Sequence, residues 1–74
     1  MGTAAISVAI TTPHIKLGEF LKWAGVAATG GAAKAMVQQG KVKVNGDIER
    51  RRGRGLRPGD LVTIAGRGYR VASR

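Results

Sequence analysis

Arg50, Arg51, Arg52 and Arg54 place four guanidinium groups on a short stretch interrupted only by Gly53. Each guanidinium is a planar fork of donors that matches phosphate oxygens two at a time and stays charged at any physiological pH. The run lies inside the chain, between segments whose patterns say they are folded, and is not a solvated tail. Lys41 and Lys43 precede it at strand spacing, so both ammonium groups share one outward face. Thr29, Gly30 and Gly31 offer a second kind of anion chemistry. Backbone N–H groups at a helix start attract a phosphate, and glycines let it approach. Lys34 stands one turn further on, and Lys16 and Lys22 lie on the preceding segment as weaker additions.

Each of these features has a plainer reading. The arginines could form a solvated connection, partly paired with Glu49 and Asp60 at about 0–1 kcal/mol per pair. Lys41 and Lys43 could protect a strand edge from aggregation, and Thr29 could be an ordinary helix cap. For the arginines the charge balance favours binding. So few acids leave most of the cluster unneutralised, and clustering charge is unfavourable unless a polyanion uses it.

Catalysis finds little material. His14 is the single histidine, no cysteine is present, and no nucleophile and carboxylate stand at a recognisable spacing. The glycines at 53, 55 and 59 miss the dinucleotide spacing, and no Walker-type Gly-Lys-Ser/Thr occurs. The expectation is a non-enzyme with no cofactor and no metal site. Trp23, Tyr69 and Phe20 are the only aromatic residues, too few for a platform that stacks successive bases. Trp23 reads as a core-edge residue covering the N-terminal strand.

The 74 residues are expected to form one domain, near the size at which a single core just outweighs chain entropy. The formal charge is +9. Residues 1–40 carry three lysines against Glu19, a net of +2, whereas residues 41–74 carry ten basic groups against three acids, a net of +7. No apolar stretch approaches the roughly 20 residues that span a bilayer, and no secretory signal pattern opens the chain. Met1-Gly2 lacks the Ser or Thr that myristoylation wants at the sixth position, where Ile6 stands. A cytoplasmic protein with no membrane partner, acting as a monomer, is expected.

The elements that must position these groups follow from periodicity. Ile6, Val8 and Ile10 alternate with Ser7 and Ala9 as in a half-buried strand over 5–10. Leu17, Phe20, Leu21 and Ala24 mark one face of a short helix over 16–24, ended by Gly25. Thr29 caps a second helix with Ala33, Met36 and Val37 inward, closed by Gly40. Val42 and Val44, then Asn45-Gly46, then Ile48 resuming the apolar face, predict a hairpin over about 42–49. Arg57-Pro58-Gly59-Asp60 reads as a turn, 61–65 as a strand, Gly66-Arg67-Gly68 as a turn and 69–72 as a returning strand.

The helix pair, then Gly40-Lys41-Val42-Lys43-Val44-Asn45-Gly46, then Pro58-Gly59-Asp60-Leu61-Val62, resembles the RNA-binding module named after ribosomal small-subunit protein four, the αL motif. The resemblance runs from about Ile15 to Ile64. The N-terminal strand, the segment Lys16 to Lys22, Thr29-Gly30-Gly31 and the arginine run are similar to the stand-alone bacterial members, of the YaaA and YbcJ type. Many family members carry Ser-Arg at the start of the second helix and an arginine at the start of the first, where this chain has Thr29-Gly30 and Lys16. The family implies an α+β fold in which two short packed helices stand against a small, mainly antiparallel sheet with an added N-terminal strand. It implies non-catalytic binding of structured RNA, of the ribosomal or transfer class, with the ribosome as a candidate partner. The residues read as phosphate contacts are Arg50, Arg51, Arg52, Arg54, Lys41, Lys43, Lys34 and Lys16, with Thr29, Gly30 and Gly31 lending backbone donors. Charge alone leaves two other readings open: a DNA-associated basic factor, or an adaptor docking on an acidic protein.

Overall fold

The computed structural model describes residues 5–74, so Met1-Gly2 lies outside the described residues. In chain order the elements are β1 (Ile6–Ile10), β2 (Ile15–Lys16), α1 (Leu17–Trp23), α2 (Gly30–Gln38), β3 (Val42–Val44), β4 (Asp47–Ile48), β5 (Gly55–Leu56), β6 (Leu61–Ile64) and β7 (Arg67–Ser73). Five strands form one sheet in the order β1-β7-β6-β3-β4. Every pairing in it is antiparallel except β1 with β7, which joins the two ends of the chain in parallel. This is the α+β arrangement that the family resemblance implies.

The helices pack on one sheet face because their apolar stripes and the inward strand positions bury each other. Leu17, Phe20 and Leu21 of α1, with Ala33 and Val37 of α2, meet Val42, Val44, Val62, Val71 and Ile10 from the sheet. Both helices end in the same way. The N–H of Val26 reaches the carbonyl of Leu21 at 2.9 Å and that of Gly25 reaches Lys22 at 3.0 Å; Lys41 to Met36 and Gly40 to Val37 repeat the pattern on α2. Such double closures need a left-handed residue, and Gly25 and Gly40 take φ of 78° and 73°.

Three details depart from the sequence reading. The short strands β2 and β5, which periodicity did not mark, pair as a separate two-stranded sheet with Ile15 opposite Leu56 and Lys16 opposite Gly55. Two-residue strands carry too little alternation to be seen in sequence. Ile48 does not resume the apolar face; it is 53 % exposed. The Asn45-Gly46 turn places Lys43 opposite Ile48, and residues directly opposite share a face, so Ile48 stands outward beside Lys43. The same parity turns Glu49 inward, where its N–H bonds the carbonyl of Val42 at 3.0 Å.

The last turn is Ala65-Gly66 and not the Gly66-Arg67-Gly68 segment, because Ile64 pairs directly with Arg67. Ala65 has a φ of 51°, a left-handed conformation that a Cβ disfavours by roughly 1–2 kcal/mol. Asn tolerates this region better than Ala. Ala65→Asn should therefore raise stability by about 0.5–1 kcal/mol, seen as a melting temperature higher by several degrees. A melting temperature equal to or below that of the parent would show that the turn carries no such strain.

Candidate nucleic-acid interface

The arginine loop is fixed by its backbone. The residue before α1, Lys16, makes no side-chain cap, so the first N–H groups of the helix need other acceptors. The loop supplies them: Leu17 donates to the carbonyl of Arg54 at 2.8 Å and Gly18 to that of Arg52 at 2.9 Å. The β2–β5 pair continues this seam on one side. A turn closed by the Arg54 N–H on the Arg51 carbonyl, at 3.2 Å, carries Arg52 and Gly53 at its apex.

Beneath the loop lies Glu49, only 9 % exposed and the one buried charged residue among those described. Its Oε2 accepts from the backbone N–H and the Nε of Arg51, both at 3.1 Å, and its Oε1 accepts from Arg54 Nη1 at 3.4 Å. The Arg51 side-chain bond holds the carboxyl below its usual range and outweighs burial, which acts the other way; the Arg51 backbone N–H and the charges of Arg51 and Arg54 add to the lowering. Arg51 remains 80 % exposed along its side chain. Its Nε is engaged while its terminal nitrogens face solvent. Arg54 is more enclosed, at 33 %.

Arg50 has a different neighbour. Its Nη1 donates to the carbonyl of Gln38 at 3.2 Å, and its guanidinium lies so close over Gly40 that a Cβ there would stand 2.9 Å from Nη2. It caps the C-terminal end of α2, where the helix dipole favours a cation. The four arginines thus divide: Arg50 on the end of α2, Arg51 and Arg54 on Glu49, and Arg52 on neither.

Arg52 and Gly53 line an open groove of about 510 Å³ with Lys16, Gly18, Glu19, Lys22 and Gly30. Three cations against one carboxylate leave the groove positive. The start of α2 opens onto it. Thr29 Oγ1 accepts from the N–H of Ala32 at 3.0 Å and the Thr29 carbonyl accepts from Ala33, whereas the N–H groups of Gly30 and Gly31 have no acceptor among the described residues. The groove therefore gathers Lys16, Gly30 and Arg52 from three separated segments, with Lys22 beside them. Lys34 lies one turn along α2 from Gly30, outside the groove. Lys41 and Lys43 are exposed at the far end of α2 and on the outward face of the hairpin. Trp23 is 57 % exposed but donates its Nε1–H to the carbonyl of Ala9 at 2.7 Å, which ties α1 to β1.

Sequence reasoning treated Glu49 only as an incidental partner of the arginines. The signal for its placement was present: a two-residue turn at 45–46 puts 42 opposite 49, and Val42 is apolar. Asn45 likewise does more than turn the chain. Its side chain donates to Asp60 Oδ1 at 3.1 Å and accepts from the N–H of Leu61 at 3.0 Å, lacing the hairpin to the Pro58-Gly59 turn.

The S4 domain family model matches residues 8–72, and the chain belongs to this family. Its sequence is 46 % identical over 61 residues to the Bacillus subtilis protein named "Probable ribosome maturation protein RlbA", covering 82 % of this chain and 86 % of that one. It is 34 % identical over 61 residues to the Escherichia coli "Putative RNA-binding protein YbcJ", covering 82 % and 87 %. The fold is similar to that of ribosomal protein S4e of the 30S subunit from Thermoplasma acidophilum, with a TM-score of 0.62 at 22 % identity. That match covers 81 % of this chain and 32 % of the other, so the chain spans about a third of that protein's length.

The carboxyls predict an acid limit. For Asp60, burial works to raise the carboxyl, but the Arg57 N–H, the Asn45 side chain and the charges of Arg54 and Arg57 outweigh it, so it too is held low. As pH falls, the unfolded chain takes up protons before these two groups do. Their contribution is complete above the ordinary carboxylate range, about pH 4–4.5, and is lost progressively below it. Urea midpoints should be flat from about pH 7 to 5 and fall below about 4.5, and Glu49→Gln should lower the plateau while flattening the fall. A midpoint that stays constant to about pH 3 would rule out the linkage. Separately, Arg50→Gln should cost about 0.5–1 kcal/mol of stability in the same urea assay, through loss of the cation at the end of α2.

Proposed function

We propose that this protein binds folded RNA of the ribosomal or transfer class, without catalysis, through the basic face formed by the arginine loop and the starts of the two helices. The observation that carries this reading is the groove in which Arg52, Lys16 and Lys22 converge with the open N–H groups at the start of α2. A rigid scaffold presents point charges, a guanidinium fork and backbone donors toward one volume, and a phosphodiester uses all three. The net charge of +9 attracts the polyanion and adds counterion release to the affinity. The lack of a run of exposed aromatics favours recognition of shape and phosphates over stacking of single-stranded bases. Membership of the S4 domain family and the printed names of the two bacterial relatives support RNA as the polymer and ribosome maturation as the process, in the cytoplasm.

The test compares charge-matched variants. Arg52→Gln and Arg67→Gln each remove one positive charge, but Arg67 is exposed at the start of β7 and does not line the groove. Binding of a labelled ribosomal RNA fragment should lose about one unit of salt slope in Arg52→Gln and almost none in Arg67→Gln. An equal-length duplex DNA should compete poorly, because the wide minor groove with 2′-hydroxyls exists only in RNA. Equal effects of both substitutions, together with efficient competition by the DNA, would overturn the proposal in favour of a general polyanion binder.

A further inference from the structure

Gly53 lines two concave sites at once. One is the groove with Arg52, Lys16 and Lys22. The other, an open cleft of about 410 Å³, is lined by Arg51, Gly53, Arg54 and Gly55. The consecutive residues Arg51 and Arg52 therefore face opposite flanks of one turn. Each flank carries cations, and the edge between them is a glycine whose added Cβ would meet nothing within 4 Å. Its φ lies outside the left-handed region, so the backbone does not require glycine there. What glycine provides is thinness.

Glu49 matters to the second flank. It grips Arg51 at Nε and Arg54 at one Nη1, which fixes both side chains and leaves the terminal nitrogens of Arg51 to solvent. The cleft is a pair of guanidinium groups oriented by a buried carboxylate, set with one net positive charge. The carbonyls of Arg52 and Arg54 accept from the start of α1, and that of Arg51 closes the turn on the Arg54 N–H, so the wedge is held from behind.

From this geometry we infer that the turn Arg51–Arg54 is a two-sided wedge that enters between two phosphate backbones of a folded RNA, one on the Arg52 flank and one on the Arg51–Arg54 flank. The inference rests on the RNA-binding reading above and assigns it a substrate shape: two strands held side by side, as in a helix or a junction, and not a single extended strand. A single backbone can occupy one flank only, whereas paired backbones use both.

The experiment uses the full chain with two RNAs of equal length, one a stable hairpin and one an unstructured strand, and the variants Arg51→Gln, Arg52→Gln, their double and Gly53→Val. On the hairpin, each single arginine variant should lower the salt slope by about one unit and the double by about two. On the unstructured strand, the double should lower it by no more than about one. Gly53→Val keeps every charge and every ion pair, and its Cβ has open space, so the melting temperature should be unchanged while hairpin affinity falls about tenfold or more, by obstruction of both flanks. Full hairpin affinity in Gly53→Val, or an Arg51→Gln slope equal to that of the parent, would overturn the wedge while leaving RNA binding in place. The same two-unit loss on both RNAs would also overturn it. Absence of binding to either RNA by the parent chain would overturn the RNA-binding reading and the wedge together.

Discussion

The start of α1 has no side-chain cap, and its first two N–H groups are satisfied by the carbonyls of Arg54 and Arg52. A seven-residue helix is far too short to persist alone in water, and a loop of clustered arginines has no reason to hold one shape alone. Joined by two hydrogen bonds and the adjoining β2–β5 pair, each element fixes the other. Leu17, Phe20 and Leu21 then anchor the helix in the core. The result is a loop whose backbone is tied inward at the carbonyls of Arg52 and Arg54.

Electrostatics divides those side chains into separate tasks. A buried carboxylate at Glu49 would be costly without partners, and Arg51 and Arg54 supply them. In return their mutual repulsion is reduced where they crowd. Arg50 is drawn instead to the C-terminal end of α2 and packs over Gly40. Of the four, Arg52 alone has no side-chain hydrogen bond among the described residues, and it lines the groove at the helix starts. Four residues that look equivalent in sequence therefore differ in their surroundings: one caps a helix end, two hold a buried carboxylate, and one lines the open groove.

The departures from the family pattern take on a physical meaning here. Where many members carry arginine at the helix starts, this chain has Lys16 and Thr29-Gly30. The groove at Gly30 still contains an arginine, Arg52, delivered from a distant loop. Thr29 retains the capping bond to Ala32.

Local signals were enough for much of this architecture. Apolar spacing located α1, α2 and β1 to within a residue or so; Gly25 and Gly40 marked the helix ends; Asn45-Gly46 and Pro58-Gly59 marked two turns. Each is a short-range preference, written in a few neighbouring residues and insensitive to what lies across the fold. The arginine run was visible as charge for the same reason. Ile48 was misplaced because its face depends on the pairing register across the turn, and the turn at 65–66 was missed because Ala65 pays a conformational cost that no local rule anticipates; the pairing of Glu49 with the arginines was legible, but its burial was not. The β2–β5 pair and the carbonyl caps on α1 join residues some forty positions apart in sequence. So does the groove, which collects Lys16, Gly30 and Arg52 from three segments. Composition and periodicity determined that this chain would fold as two helices on a sheet with an excess of positive charge. Which arginine lines the open groove and which is tied to the protein's own acceptors was decided by tertiary packing, because a guanidinium's surroundings are set by the acceptor it finds, and the acceptors here come from elsewhere in the chain.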